Sequence, residues 1–209
     1  MRLRTRRRHS SMSWIGAVDQ GTTSTRFFVF DEVGRVVASA RRPVRLIAPQ
    51  PGWVEQDPEE VVDSVVECIE EACRYVQQTL GEDARTRIKA VGLANQRETT
   101  VAWDAGTGKS LHPAIVWMDG RNHAEVKAYS AHADAHRIKQ QSGLPFSTYF
   151  SAGKMRWLLD HSQAVRDARL RGTLRLGTID SWLLFVQCTA GLLMYCCRSC
   201  CGMDRTSVT

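Results

Sequence analysis

The stretch Trp14-Ile-Gly-Ala-Val-Asp-Gln-Gly-Thr-Thr-Ser-Thr-Arg-Phe-Phe-Val-Phe-Asp31 decides how the chain is read. Two apolar runs of strand length flank a turn built from Gly21, Thr22, Thr23 and Ser24. Such a hairpin presents backbone N–H groups and three hydroxyls to an anion. Asp19 stands near the end of the first run, where a carboxylate can orient a hydrated cation. One reading is a nucleotide-phosphate grip, which points to phosphoryl transfer. The plainer one is a hairpin whose polar turn is merely solvated. Gly106-Thr-Gly-Lys-Ser110 holds Gly-Lys-Ser but lacks an earlier glycine at phosphate-loop spacing, so it reads as a turn between strands.

Outward from the hairpin, Asp31-Glu-Val-Gly34 makes a second turn and residues 35–41 a third strand, giving an opening meander. Residues 43–51 read as loop. Asp57-Pro58-Glu59-Glu60 then has the order of N-cap, first-turn proline and acids at a helix start. Val61, Val62, Val65, Val66, Ile69, Cys73, Val76 and Leu80 repeat at helical spacing, and Gly81 ends the run. Segments 88–94, 99–103 and 114–118 read as buried strands. A helix is expected over 122–139, shorter ones over 153–159 and 163–170, a strand at 174–176 and a helix at 180–186. A meander followed by alternating helices and strands predicts an α/β domain on a mixed sheet.

Composition bounds the function. The chain has 209 residues, 43% of them hydrophobic, enough for a substantial core. No apolar run has the length of a membrane span. The net charge of +6 is concentrated in Arg2, Arg4, Arg6, Arg7 and Arg8, ahead of the first strand. It therefore marks a basic tail over 1–13 rather than a nucleic-acid-binding face. Arg- and Ser-rich and free of acids, that tail reads as a disordered extension or a short organellar address. Of seven cysteines, Cys188, Cys196, Cys197, Cys200 and Cys201 crowd the last stretch. Cys197-Arg-Ser-Cys200 has CxxC spacing but no second pair at zinc-site distance. His132 and His136 stand one helical turn apart without a third ligand, so a solvated helix face is expected.

Several motifs now stand in order: Asp19-Gln-Gly-Thr-Thr-Ser24, Gly52-Trp-Val-Glu-Gln-Asp-Pro58, Asn95-Gln-Arg-Glu-Thr-Thr100, Val116-Trp117, Tyr149-Phe-Ser151, Lys154-Met-Arg-Trp157-Leu and Gly177-Thr-Ile-Asp-Ser-Trp182. Together they resemble the N-terminal half of the glycerol kinases, within the FGGY-type carbohydrate kinases. The resemblance covers residues 14–184 and implies the ribonuclease-H-like (actin-like ATPase) fold, a mixed sheet with flanking helices. It implies transfer of the terminal phosphate of ATP to glycerol, with Mg2+ as the metal. Arg97 and Glu98 would hold adjacent hydroxyls, donor beside acceptor, each limiting the other's desolvation cost. Tyr149 would add a phenolic hydrogen bond and Trp117 would line the carbon chain. Thr22, Thr23 and Ser24 would meet the terminal phosphates, Arg26 would neutralise developing charge, and Asp19 would orient magnesium through water. Trp53, Trp157 and Trp182 are expected to pack without a ligand.

The likeness fades after Leu184, and residues 185–209 form a divergent, cysteine-rich segment. The family's catalytic base, an aspartate in Gly-Asp-Gln, has no counterpart in these residues. The expectation is a truncated domain, inactive alone. Alternatives are another sugar or polyol kinase of the family and a non-catalytic polyol-binding protein. In the loop after Trp117, Gly120 is expected to loosen the chain. Glycerol and ATP are the expected partners, with neither nucleic acid nor membrane, and homo-oligomerisation stays open. A cytoplasmic location is expected, with a peroxisome-like organelle or mitochondrion as alternative, although Ser207-Val-Thr209 is not a Ser-Lys-Leu address.

Overall fold

The computed structural model describes residues 13–190, with side chains placed to residue 186. The basic segment and the Cys196, Cys197, Cys200 and Cys201 cluster lie outside the described residues. β1 (Trp14–Gln20), β2 (Ser24–Phe30) and β3 (Val36–Pro43) form the expected antiparallel meander. Trp14, Val18, Phe27, Val29, Ala38 and Ala40 point from these strands into one core, the period of two that a half-covered sheet needs. The second turn is held by the Asp31 carboxylate, which accepts from the N–H groups of Val33 and Arg35.

β4 (Glu55–Gln56) precedes α1 (Pro58–Leu80). Its caps are those legible in the sequence. The Asp57 carboxylate accepts from the Glu59 N–H at 2.9 Å, and Gly81 takes the left-handed φ of 67°. Val61, Val65, Cys68, Ala72 and Val76 are fully buried on the face that covers β2 and β3. Leu80 was expected on that face but is 49% exposed in the last turn.

α2 (Ala84–Arg87) leads into β5 (Ile88–Asn95), which pairs parallel with β1. The first sheet is thus mixed, in the order β3-β2-β1-β5. The expectation of a buried strand fails here, since only Ile88 of β5 is buried. An edge strand has one neighbour, and its alternate residues stay open.

The second sheet is antiparallel. β6 (Thr100–Asp104) pairs with β7 (Lys109–Ser110), β8 (Ala114–Ile115) and β9 (Leu174–Thr178), and β8 pairs with β4. The strand expected over 114–118 stops at Ile115, because the Asp119 N–H reaches back to the Val116 carbonyl and turns the chain. The turn expected over Gly106–Ser110 closes at Gly108, since Lys109 and Ser110 already belong to β7. Asp104 accepts there from Arg171, Thr173 and the amides of Gly106 and Thr107, which hold its carboxyl down at about 2.

The helix expected over 122–139 is two helices, α3 (His123–Ser130) and α4 (Ala135–Ser142). Between them the Asp134 N–H donates to His132 Nδ1 and its carboxylate takes Arg137, a local turn that competes with continued helix. His132 therefore lies in the turn and His136 on α4. α5 (Ser151–His161) and α6 (Gln163–Leu170) follow, and α7 (Ile179–Ala190) runs past the expected end at residue 186. Trp182 and Leu183 of α7 join the core under α1, and the Trp182 indole donates to the Pro58 carbonyl at 3.1 Å. Trp157 is buried in a second cluster with Ile115, Leu158 and Val165, and the half-buried Trp53 packs edge-on against it. Among the described residues, no helix is long and apolar enough to cross a membrane.

Candidate functional site

The β1–β2 turn faces the segment that follows β5 across a cleft of about 330 Å³. Thr22, Asn95, Gln96, Arg97, Trp117 and Tyr149 line it. Thr22 of the proposed phosphate turn and three of the proposed polyol residues thus share one crevice. A larger depression, about 480 Å³, opens beside α1 and α2 and is lined by Glu70, Cys73, Arg74, Gln77, Asp83 and Arg85. Its charges balance, and none of the motif residues reaches it.

Each candidate has a definite place. Thr22 Oγ1 accepts from the Trp117 indole at 3.0 Å, so the turn and the wall are physically joined. Thr23 is exposed, whereas Ser24 is the first residue of β2 and only 5% exposed. Asp19 and Arg26 face each other across the β1–β2 ladder and form a half-exposed ion pair at 3.2 Å. That bond occupies Asp19 Oδ2 and leaves Oδ1 without a partner among the described residues.

Arg97 is exposed, and its guanidinium bonds to no described residue. Glu98 turns away from it. Among described non-glycine residues, Glu98 alone has a positive φ, 64°, a costly backbone state for a side chain of this size. The twist carries its carboxylate to the start of α5, where Oε2 accepts from the Ser151 N–H at 2.8 Å and from the Ser151 hydroxyl at 2.7 Å. The neighbours do not screen one another as the sequence suggested, because successive side chains there diverge. Phe150 at the N-cap offers no side-chain bond, and the Glu98 carboxylate does that work from a distant loop.

Tyr149 packs edge-on against Trp117, ring centroids 5.8 Å apart, and its hydroxyl has no described partner. Its position is set from beneath by Lys154, which no motif reading singled out for a role. Lys154 is fully buried on α5, and its ammonium donates to the carbonyls of Thr148 and Tyr149 at 2.7 and 2.5 Å. Burial pushes its pKa down to about 8, against the opposing pull of Glu98 and Asp119. Between pH 8 and the ordinary lysine value of 10.5, the unfolded chain keeps a proton that the folded chain has lost. This site therefore adds stability as pH rises through that window. Urea unfolding of wild type and Lys154→Met at pH 7 to 10 checks this. Wild-type stability relative to the variant should increase steadily above pH 8, because only the wild type carries a buried ammonium whose proton is lost in that range; a pH-independent difference contradicts it.

The loop after Trp117 is not loose. Asp119 is fully buried; its carboxylate accepts from the Val54 N–H and from the backbone and guanidinium of Arg121 at 2.8–2.9 Å. Arg121 also pairs with Glu55 at 2.8 Å and lies 3.8 Å above the Trp53 ring. Gly120 donates to the Gly52 carbonyl, which closes the loop onto the Gly52-Trp-Val-Glu-Gln-Asp-Pro58 segment. The expectation of looseness fails because an acid and a base two residues apart both bond to one distant segment, Asp119 to Val54 and Arg121 to Glu55.

A mixed sheet that opens in a meander thus sets a hydroxyl turn against a polar cleft. Residues 14–197 match the model of the FGGY family of carbohydrate kinases, N-terminal domain. A glycerol kinase of Stenotrophomonas maltophilia (strain K279a) is 44% identical over 172 residues, 82% of this chain and 34% of that protein. The crystal structure of Plasmodium falciparum glycerol kinase with ADP superposes with a TM-score of 0.78 at 33% identity, covering 85% of this chain and 35% of that one. A xylulose kinase from Rhodospirillum rubrum superposes with a TM-score of 0.70 at 26% identity, covering 83% and 33%. The chain belongs to the FGGY family of carbohydrate kinases, and its fold is the family's actin-like ATPase domain. It spans about a third of the length of the curated relatives it matches.

Proposed function

We propose that this chain provides the phosphate turn and the polyol wall of an ATP-dependent glycerol kinase. The observation that carries the reading is the shared cleft, where Thr22 stands opposite Arg97, Trp117 and Tyr149. Its volume, about 330 Å³, suits a small polyol beside a phosphate. Arg97 and the Tyr149 hydroxyl are free to bond hydroxyls, and Glu98 Oε1 accepts nothing from a described residue. The Trp117–Tyr149 pair supplies an apolar side for the carbon chain.

On the other side, Thr22, Thr23 and Ser24 with their amides are the proposed seat of the terminal phosphate of ATP, and Arg26 the neutralising charge. The unpartnered Oδ1 of the half-exposed Asp19 suits a hydrated divalent cation, so magnesium would be held there through water. In phosphoryl transfer the protein mainly positions groups and stabilises spreading negative charge, and these residues do both. No Gly-Asp-Gln occurs in the 209 residues, so a positioned proton acceptor for the glycerol hydroxyl is not supplied by that motif here.

Calorimetry with the 209-residue chain tests the reading. Glycerol should bind in preference to ribitol and xylulose, ATP should bind separately, and a coupled ADP-release assay should show little glycerol-dependent turnover. Preference for xylulose would move the substrate to another branch of the family, and failure to bind any polyol would overturn the proposal.

A further inference from the structure

Beneath the β1–β2 turn lies a cluster of three glutamines that the phosphate and polyol roles leave unexplained. Gln20 and Gln56 are fully buried and Gln96 is 7% exposed. A buried primary amide is costly unless its donors and acceptors are matched. Here they are matched to one another and to the turn. Gln96 Nε2 donates to Gln20 Oε1 at 3.1 Å and to Gln56 Oε1 at 2.7 Å, while Gln96 Oε1 accepts from the Thr99 hydroxyl at 2.9 Å. These bonds fix which end of each amide is nitrogen. The remaining nitrogens are spent on the turn: Gln20 Nε2 donates to the Gly21 carbonyl at 2.9 Å, and Gln56 Nε2 to the Thr22 carbonyl at 2.7 Å. The Thr23 carbonyl is taken by the Val44 N–H at 3.0 Å.

Successive carbonyls of the turn are thus all held by protein donors. In a trans peptide the N–H points opposite to the C=O of the same unit, and no cis bond occurs among the described residues. Drawing the Gly21 and Thr22 carbonyls toward the glutamines turns the Thr22 and Thr23 N–H groups the other way. Neither N–H donates to a described residue. We propose that Gln20, Gln56 and Gln96 are positioning residues that lock the turn with the Thr22 and Thr23 amides facing outward, as a preset cradle for an anionic phosphate oxygen. The proposal rests on the phosphate half of the function proposed above. Preset donors avoid reorganisation when charge arrives, which is how a neutral turn gains affinity for an anion. At the far end of the network the Thr99 hydroxyl accepts from the Trp117 N–H at 3.2 Å.

The test uses the 209-residue chain with inorganic tripolyphosphate and, separately, glycerol. Gln56→Met keeps the length and shape of the side chain and removes the donor to the Thr22 carbonyl together with an acceptor of Gln96; Gln20→Met leaves the Gly21 carbonyl only a long bond from Gln96 at 3.5 Å and serves if the first variant does not fold. Tripolyphosphate affinity should fall about tenfold, the loss of roughly one charge-assisted hydrogen bond, while glycerol affinity stays within about twofold. In amide spectra the Thr22 and Thr23 N–H signals should move on adding tripolyphosphate to wild type and broaden in the variants. Unchanged tripolyphosphate affinity in a folded variant overturns the positioning role, and an equal fall for both ligands reduces it to structural support. A wild-type chain that takes glycerol but not tripolyphosphate overturns the phosphate half of the function, and this proposal with it.

Discussion

Asp119→Ala is expected to destabilise the domain by about 3–5 kcal/mol. The carboxylate it removes is fully buried and satisfies the Arg121 guanidinium and backbone together with the Val54 N–H. Without it, Arg121 keeps only Glu55 as a charged partner, inside a pocket walled by Trp53 and Trp157. A loss of this size is a large share of the roughly 5–15 kcal/mol that holds a typical domain folded. Urea unfolding measures it. The double variant Asp119→Ala with Arg121→Met should recover part of the loss, since the damage lies in the stranded charge rather than in the missing contact. A loss below about 1 kcal/mol, or strict additivity in the double variant, would show that the pair is solvated after all.

Arg97→Ala should behave in the opposite way. Its side chain is exposed and unbonded among the described residues, so its removal should leave the urea midpoint close to wild type. Glycerol affinity should nonetheless fall by roughly 10- to 100-fold, the range for a hydrogen bond from a charged donor. Lysine at this position should restore the charge but little of the affinity, because a point ammonium does not reproduce a planar fork. Calorimetry on the folded variant decides. An affinity within about twofold of wild type would remove Arg97 from the polyol wall and leave the cleft without a charged donor.

Local patterns in the sequence foretold much of this fold. The α1 boundaries follow from Asp57, Pro58 and Gly81, whose capping chemistry acts within one turn and needs no tertiary information. The meander is equally local, since its second turn is held by Asp31 within five residues of chain. Misreadings occurred where distant partners decide. Val54 and Asp119 are 65 residues apart, Gln96 and Gln20 are 76 apart, and neither pairing leaves a periodic trace. The break between α3 and α4 is a near-local exception: Asp134 was counted as a helical residue although its carboxylate and amide favour a turn.

The site divides along the same line. The motif residues were individually visible, and Arg97, Trp117 and Tyr149 do meet Thr22 across one cleft. Their supports were not visible. Lys154 appears in a matched motif as one basic residue among several, and only burial shows that it props up Tyr149. Glu98 looked like a neighbour of Arg97, whereas its left-handed backbone sends it to the start of α5. Asn95 and Gln96 stood inside the Asn-Gln-Arg-Glu motif without a role; Asn95 donates to Asp180 at 3.0 Å, and Gln96 organises the buried amides. The available signal was the motif itself, in which the two amides directly precede the Arg–Glu pair.

Amide and indole shift mapping of the chain with glycerol and then with tripolyphosphate is the most direct test of the central claim, that one cleft serves both ligands. Glycerol should move the Trp117 indole and the Arg97, Glu98 and Tyr149 amides, and tripolyphosphate should move those of Thr22 and Thr23, with the Trp117 indole responding to both through its bond to Thr22. Shifts centred on Glu70, Arg74 and Arg85 beside α1, or two ligands acting on surfaces that share no residue, would contradict it.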